Sequence, residues 1–185
     1  MSSVAETLGV ERLVGVVLAL PEPYATELRR WRASLGDPLA EIVPAHITLV
    51  TTTPTANWEA VVAHVREVAA GQGEFEVTLE GTGSFRPVSP VVYLKVAQGF
   101  DDCLALHSRL QQGPLERTLP FPFHPHVTVA HEISEPAMDD AEERLSDYRA
   151  SFRVDSMGLY EHDSSGLWQL CEELSFGGAA AGAED

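Results

Sequence analysis

Two short segments of the sequence carry a histidine and a threonine in the same arrangement, His-x-Thr with an apolar x. The first holds His46 and Thr48, the second holds His126 and Thr128, and the histidines lie 80 positions apart (126 − 46). Phosphodiester hydrolysis needs a base for water and an acid for the leaving oxygen, and imidazole fills either role near neutral pH. Threonine hydroxyls can donate hydrogen bonds to phosphate oxygens as charge builds there. The four residues are therefore predicted to be catalytic, in a scheme that requires no metal and no organic cofactor.

The two segments must lie on strands for this chemistry to work. Side chains alternate between the two faces of a strand, so the histidine and threonine of each segment share one face. The apolar neighbours Ile47 and Val127 point into the opposite layer. If two lobes related by pseudo-twofold symmetry bring these strands together, both imidazoles and both hydroxyls line one groove. A single His-x-Thr is weak evidence, whereas two copies on predicted strands favour a functional pair.

These segments resemble the motifs of the 2H phosphoesterase superfamily, which includes bacterial 2′-5′ RNA ligase-like proteins and cyclic phosphodiesterases. The matching stretches are 44–49 (PAHITL) and 121–130 (FPFHPHVTVA), with 83–87 (GSFRP) and 91–94 (VVYL) similar to the family's middle hairpin. Val129 stands where leucine is frequent, which leaves the polar face intact. The resemblance covers about residues 13–176. It implies a bilobal α+β fold with a central groove, and cleavage of 2′,3′-cyclic phosphates, typically to a 2′-phosphate.

Hydrophobic patterning predicts the elements that position the motifs. Strands are predicted over residues 13–20, 45–51, 75–79, 91–96, 126–133, 152–160 and 167–176, and helices over 21–35, 57–70, 100–110 and 134–148. Helices and strands are interspersed without the regular strand–helix alternation of a doubly wound sheet, so the predicted class is α+β. We expect one bilobal domain over 13–176, an N-terminal extension over 1–12 and a disordered Gly/Ala-rich tail over 177–185.

Five further residues are candidates for substrate binding. Tyr93 and Lys95 share one face of their predicted strand, and Arg86 lies in the preceding loop, so each could contact phosphate or base. Phe85 and Phe123 could stack on a nucleobase. Solvent exposure is the competing explanation for the polar residues, and core packing for the aromatic ones. Three more aromatic residues share the stacking interpretation with the same alternative: Phe121, Tyr160 and Trp168.

The remaining histidines and acidic residues have simpler interpretations. His124 lies two residues before His126, but Pro125 disturbs the strand and no third ligand stands at a recognisable spacing, so no metal site is predicted. His64 and His107 lie on predicted helices and are expected at the surface or its boundary. The acidic helix at 139–143 is expected to be a solvated face.

Charge limits the range of partners. The formal net charge is −16, from 28 acidic and 12 basic residues, and such a field repels polyanions. Tight binding to long duplex nucleic acid is therefore not expected, whereas a small phosphodiester or an RNA end is compatible with it. The longest clearly apolar run, 13–20, is far too short for a membrane span and lacks a positive segment before it. A cytoplasmic monomer is the expectation.

The residues leave several functions open. Hydrolysis of a 2′,3′-cyclic phosphate is the first hypothesis, with either histidine as the base. The alternatives are a phosphodiesterase for another small phosphodiester such as ADP-ribose cyclic phosphate, a 2′-5′ RNA ligase, and a non-catalytic nucleotide- or RNA-binding module.

Overall fold

A computed structural model describes residues 11–163, 165 and 167–178 of the chain. Within them the fold is α+β, with one antiparallel sheet and four α-helices. The strands are β1 (Arg12–Ala19), β2 (His46–Thr55), β3 (Phe75–Ser84), β4 (Val91–Gln98), β5 (His126–His131), β6 (Arg149–Val154), β7 (Ser156–His162) and β8 (Trp168–Ser175). The helices are α1 (Tyr24–Ser34), α2 (Trp58–Ala70), α3 (Phe100–Leu110) and α4 (Glu135–Arg144).

Local sequence signals explain where three of the helices begin. The Asn57 side chain accepts a hydrogen bond from the backbone N–H of Ala60, at 3.1 Å, and so caps α2. Ser134 caps α4 in the same way. Gly99 precedes α3 with φ of +85°, and a Cβ there would lie 2.6 Å from the backbone oxygen of Glu76. Only glycine fits that position, so the start of α3 is set by the backbone.

The eight strands form one sheet in the order β6-β3-β4-β5-β2-β1-β7-β8. The two His-x-Thr strands, β2 and β5, lie at its centre and are joined at the antiparallel pair Ile47–Val127. Four strands stand on each side of this junction. The sheet is therefore built from two four-stranded lobes, which confirms the predicted bilobal α+β fold.

The lobes are not the two halves of the sequence. The chain runs strand, helix, His-x-Thr strand, helix, strand twice, as β1-α1-β2-α2-β3 and as β4-α3-β5-α4-β7, with β6 inserted before β7. The last strand of each run pairs with the first strand of the other, β3 with β4 and β7 with β1. This exchange links the two lobes. Each His-x-Thr strand therefore lies next to a pair of strands, one from each run.

The hydrophobic core lies between the helices and one face of the sheet. Val14, Val16 and Leu18 of β1 are at most 1% exposed, as are Ile47 and Leu49 of β2. Every helix contributes a fully buried residue to the same cluster: Leu28, Val61, Leu106 and Met138. The other sheet face carries the alternate residues, including the motif histidines and threonines, and forms the groove.

Several predicted elements were wrong in extent. The strands predicted to end at 51 and 79 continue to Thr55 and Ser84. The single strand predicted over 152–160 is two strands, since β6 pairs with β3 at one end of the sheet and β7 pairs with β1 and β8 at the other. The buried positions reveal the cause: Phe152 and Val154 are even-numbered, whereas Met157 and Leu159 are odd-numbered. A continuous strand would put these pairs on opposite faces, so the chain breaks at Asp155. The helix predicted to reach 148 ends at Arg144.

The predicted termini fall largely outside the described residues, which exclude 1–10 and 179–185. Arg12 belongs to β1 and pairs with Glu161 of β7 at 2.6 Å. Gly177 and Gly178, assigned to the tail, donate backbone hydrogen bonds to Ala69 and Gln72 at the end of α2. No helix in the described part of the chain is both long and apolar enough to cross a membrane.

Candidate active site

The register of the central strands brings the four motif residues together. Continuing the Ile47–Val127 pair by one residue each way places His46 opposite Thr128 and Thr48 opposite His126. Opposed residues of an antiparallel pair project from the same face of the sheet. All four side chains are half-buried, whereas the residues between them are fully buried. The groove face at the lobe junction thus holds two imidazoles and two hydroxyls.

Both imidazoles are oriented by the same local contact. Nδ1 of His46 lies 2.8 Å from the carbonyl oxygen of Pro44, and Nδ1 of His126 lies 2.6 Å from that of His124. A carbonyl only accepts, so each Nδ1 carries the proton and donates it. The neutral rings then have an unprotonated Nε2. The backbone two residues upstream therefore fixes which nitrogen is free for acid–base chemistry.

Burial and neighbouring charge make the two histidines harder to protonate. Burial is the main cause that lowers the pKa of His46, and the charge of Arg32 adds to it, while the hydrogen bond to Pro44 opposes it. Burial also lowers the pKa of His126, opposed by its bond to His124, and charges on His124 and His46 lower it further. Protonation of one motif histidine thus disfavours protonation of the other, which couples their titrations.

Arg32 is a site-supporting residue that the sequence analysis missed. It is 6% exposed, its Nε donates to the Asp37 carboxylate at 2.9 Å, and its guanidinium donates to the carbonyl of Val43. This buried pair ties the segment before β2 to α1, directly ahead of Pro44. A signal was present, because Arg32 follows the buried Leu28 by four residues and so shares its helix face.

Aromatic side chains surround His126. The Phe85 ring meets His126 edge-on with centroids 5.0 Å apart, and the Tyr93 ring lies 5.3 Å from it. Tyr93 lies opposite Thr128 and Lys95 opposite His126, so both are on the groove face. A Cβ on Gly83 would lie 2.6 Å from the Tyr93 ring, so the absence of a side chain there makes room for the tyrosine. A substrate-binding role for these residues stays a prediction.

Arg86 is held by the acidic helix. Its guanidinium makes ion pairs of 2.8 to 2.9 Å with Asp139, Glu135 and Glu142 of α4. These hydrogen bonds, that to Asp139 foremost, raise the pKa of Arg86. The acidic face of α4 is solvent-exposed, as predicted, and three of its carboxylates, 42 to 73% exposed, also bind Arg86. The contact anchors the loop that carries Phe85, and substrate contact by Arg86 itself stays a prediction.

Phe123 lies in a different place from the other candidates. Its ring stacks on His107 with centroids 3.8 Å apart and planes 8° apart. Together they line an open surface pocket of about 560 Å³, which is separate from the catalytic groove. Its other lining residues include Arg117 and Phe121 but none of the four motif residues. The structure therefore separates Phe123 from the residues that meet His126.

His107 was expected at the surface or its boundary, and that expectation was wrong. It is 9% exposed, and its Nδ1 lies 2.7 Å from the carbonyl oxygen of Leu49. The strand register explains this contact: β1 pairs Val17 with Thr48 and Val16 with Val50, which leaves Leu49 without a partner in β1. A buried histidine satisfies the freed carbonyl and so supports β2 just beyond Thr48.

His124 lies in the loop before β5, as expected. Its ring is packed among Phe85, Tyr93 and Phe100, at centroid separations of 5.3 to 5.8 Å. Its backbone carbonyl orients His126. In the described part of the chain no three His, Cys, Asp or Glu side chains are grouped as a metal site would require.

Comparison with known proteins places this geometry in a family. Residues 20–166 match the family model described as the 2′-5′ RNA ligase superfamily. A candidate phosphoesterase of Bacillus pumilus (strain SAFR-032) is 33% identical over 169 residues, which cover 88% of this chain and 96% of that protein. A second candidate phosphoesterase, from Bacillus licheniformis, is 30% identical over 167 residues, which cover 88% of this chain and 98% of that protein.

Solved structures show the same fold. Apo E. coli LigT superposes with a TM-score of 0.61 at 21% identity, over 89% of this chain and 97% of LigT. The protein TT0787 of Thermus thermophilus superposes with a TM-score of 0.59 at 18% identity, over 90% of this chain and 98% of that protein. At these identities the likeness establishes the fold, and the match of family model and Bacillus relatives establishes the family. The chain belongs to the 2′-5′ RNA ligase superfamily of 2H phosphoesterases.

Proposed function

We propose that this protein is a metal-independent phosphodiesterase that hydrolyses the 2′,3′-cyclic phosphate of a nucleotide or RNA end to a 2′-phosphate. One observation carries the proposal: His46 and His126 project from one face at the lobe junction, each with Nδ1 donating to a carbonyl. That arrangement leaves both Nε2 atoms unprotonated in the neutral rings, on the same face of the sheet. It is the minimum that concerted acid–base attack on a phosphate requires.

The reaction uses the two imidazoles in opposite protonation states. Neutral Nε2 of one histidine takes a proton from water as the water oxygen bonds to phosphorus. The bond from phosphorus to the 3′-oxygen breaks, and that oxygen takes the proton from Nε2 of the other, charged histidine. Thr48 and Thr128 donate hydrogen bonds to the non-bridging oxygens as negative charge increases there. Water is added and the total number of protons on the pair is unchanged.

Charge and surroundings favour a small or terminal phosphodiester. With a net charge of −16 the protein repels a long polyanion. Lys95, opposite His126, is the only lysine of the chain and supplies a cation at the groove face. LigT, which shares the fold, has been solved with 3′-AMP and with phosphate. A nucleotide carrying a cyclic phosphate fits the same chemistry.

Hydrolysis of 2′,3′-cyclic AMP in the presence of EDTA tests the proposal. We expect turnover that EDTA does not reduce, and a product that is 2′-AMP rather than 3′-AMP by chromatography against both standards. EDTA-sensitive turnover contradicts the metal-independent mechanism, and 3′-AMP contradicts the assigned bond cleavage. No turnover would favour another small phosphodiester, such as ADP-ribose cyclic phosphate, or a binding module.

A further inference from the structure

We infer that the groove has a second base-stacking platform, formed by Trp168 with Tyr160, so that the preferred substrate is an RNA end of at least two nucleotides. The inference rests on the proposed function and specifies its substrate. It concerns the lobe that carries His46, on the side of the groove away from Phe85 and Tyr93.

Strand pairing places both aromatic residues on the groove face. His46 lies opposite Ala19 of β1, and Gly15, four residues earlier on that strand, lies opposite Tyr160 of β7. Trp168 of β8 lies opposite His162, two residues beyond Tyr160 on the same face. Directly paired and alternate residues share a face. The platform and the histidine site thus lie on the same face of the sheet.

The Trp168 indole lies across β1 rather than in the core. A Cβ on Gly15 would be 2.7 Å from two atoms of the indole ring, so the ring rests on the bare backbone of this glycine. Trp168 is only half-buried, and the nearby Leu170 is 52% exposed. The six-membered ring of the indole contacts β1, and part of the Trp168 side chain stays exposed to solvent, where a ligand ring could reach it.

Distance separates the two platforms into a near and a far position. Phe85 lies 5.0 Å from His126, close enough for the base on the sugar that carries the cyclic phosphate. Gly15 and Ala19 are four residues apart on β1, which corresponds to roughly 13 Å along the strand. The indole over Gly15 is therefore too far for that base and suits the base of the preceding nucleotide.

The environment of the second platform also fits a base rather than a phosphate. Its neighbours on the groove face are Gly158, Leu170, Glu173 and His162, whose ring centroid lies 5.0 Å from that of Trp168. Burial together with the Glu173 charge raises the pKa of Tyr160. No arginine or lysine is paired with these residues within the described part of β7 and β8. A surface of aromatic and apolar side chains next to a carboxylate accepts an aromatic ring and disfavours phosphate.

The test compares adenosine 2′,3′-cyclic phosphate with the dinucleotide ApA ending in the same cyclic phosphate. We expect the wild type to have a kcat/KM about tenfold higher for the dinucleotide, since stacking of one base has an effect of that order. Trp168→Ala should abolish this preference by lowering kcat/KM for the dinucleotide about tenfold, to the level of the mononucleotide. Trp168→Phe, which keeps a stacking face, should retain most of it. Trp58→Phe, which alters a tryptophan on the helix side of the sheet, is the matched control.

Two results would overturn the second platform. One is an equal kcat/KM for both substrates in the wild type, and the other is a preference that persists in Trp168→Ala. If neither substrate is hydrolysed, the proposed function has failed, and binding then decides the platform by itself. In that case tighter binding of ApA 2′-phosphate than of 2′-AMP, lost in Trp168→Ala, supports the platform, and equal binding overturns it.

Discussion

The two sides of the catalytic groove are alike in their reactive groups and different in everything around them. On one side His126 faces Lys95 across the strand pair, and Thr128 faces Tyr93. At the corresponding positions on the other side, His46 faces Ala19 and Thr48 faces Val17. Each imidazole nevertheless donates Nδ1–H to the carbonyl two residues upstream.

This difference separates chemistry from recognition. The duplicated backbone arrangement supplies an acid and a base, which the reaction needs in equal number. Lys95 and the near aromatic rings stand beside His126, whereas the arginine near His46, Arg32, is buried and paired with Asp37. The substrate therefore has a reason to bind in one orientation. The near-symmetric pair would then carry out an asymmetric reaction, with the roles of the histidines set by the orientation of the substrate.

Removal of either imidazole gives the largest expected effect. His46→Gln and His126→Gln should each lower kcat/KM for a cyclic nucleotide by about 10²- to 10⁴-fold, because each removes one partner of a concerted proton transfer. The double variant should be little worse than either single one, since the two residues act as a unit. Steady-state kinetics with a sensitive product assay measures all three.

An exposed histidine on the same strand provides the control for these variants. His131→Gln changes β5 outside the motif and should keep full activity. Retention of more than a tenth of the activity in either motif variant would show that only one imidazole takes part. The two sides of the groove would then differ in their chemistry as well as in their surroundings.

The pH dependence of the reaction tests whether the two imidazoles act in opposite protonation states. One imidazole must be neutral and one charged, so activity should fall about tenfold per pH unit once both are charged or both are neutral. Burial lowers the pKa of both histidines below 6.5, so the maximum of kcat/KM, which reports the free enzyme, should lie below pH 6.5. The bound phosphate anion favours the charged forms, so kcat should peak at higher pH.

Rate profiles between about pH 4.5 and 9 test this prediction, with the folded fraction followed at each pH by tryptophan fluorescence. The fluorescence control is needed because histidines buried in the neutral form bind protons more readily when the chain is unfolded. Stability should therefore also fall as the pH drops below 6.5. A flat profile between about pH 5 and 8 would contradict catalysis by paired imidazoles.

Exchange of the cation gives the smallest expected effect. Lys95→Met should raise KM about fivefold and change kcat little, because a partly solvated charge near a phosphate contributes on the order of 1 kcal/mol. The effect should decrease as salt is added. Ala19→Met, at the matching position beside His46, is the control and should not change the salt dependence. Equal changes in KM and in its salt dependence in both variants would show that the charge of Lys95 does not distinguish the two sides.

The helices, the strands and the reactive groups could be predicted from local patterns in the sequence. Alternating apolar residues predicted the strands, Asn57 and Ser134 predicted the starts of α2 and α4, and the repeated His-x-Thr pattern predicted which side chains share a face. These signals are local, because strand alternation and helix capping depend on residues only a few positions apart. The split of the predicted strand at Asp155 was also readable, from the change of phase in the buried residues.

The differences between the two sides of the groove depend on the tertiary structure. Lys95 and Tyr93 lie beside His126, and Ala19 and Val17 beside His46, because β3 and β7 exchange between the two runs and fix the strand order. Helical spacing places Arg32 on the buried face of α1. Local sequence does not show that Arg32 supports the Pro44 segment, that α4 holds Arg86, or that His107 is buried. Pairing partners are chosen by long-range packing of whole lobes, so residues far apart in sequence acquire their roles only when the sheet closes.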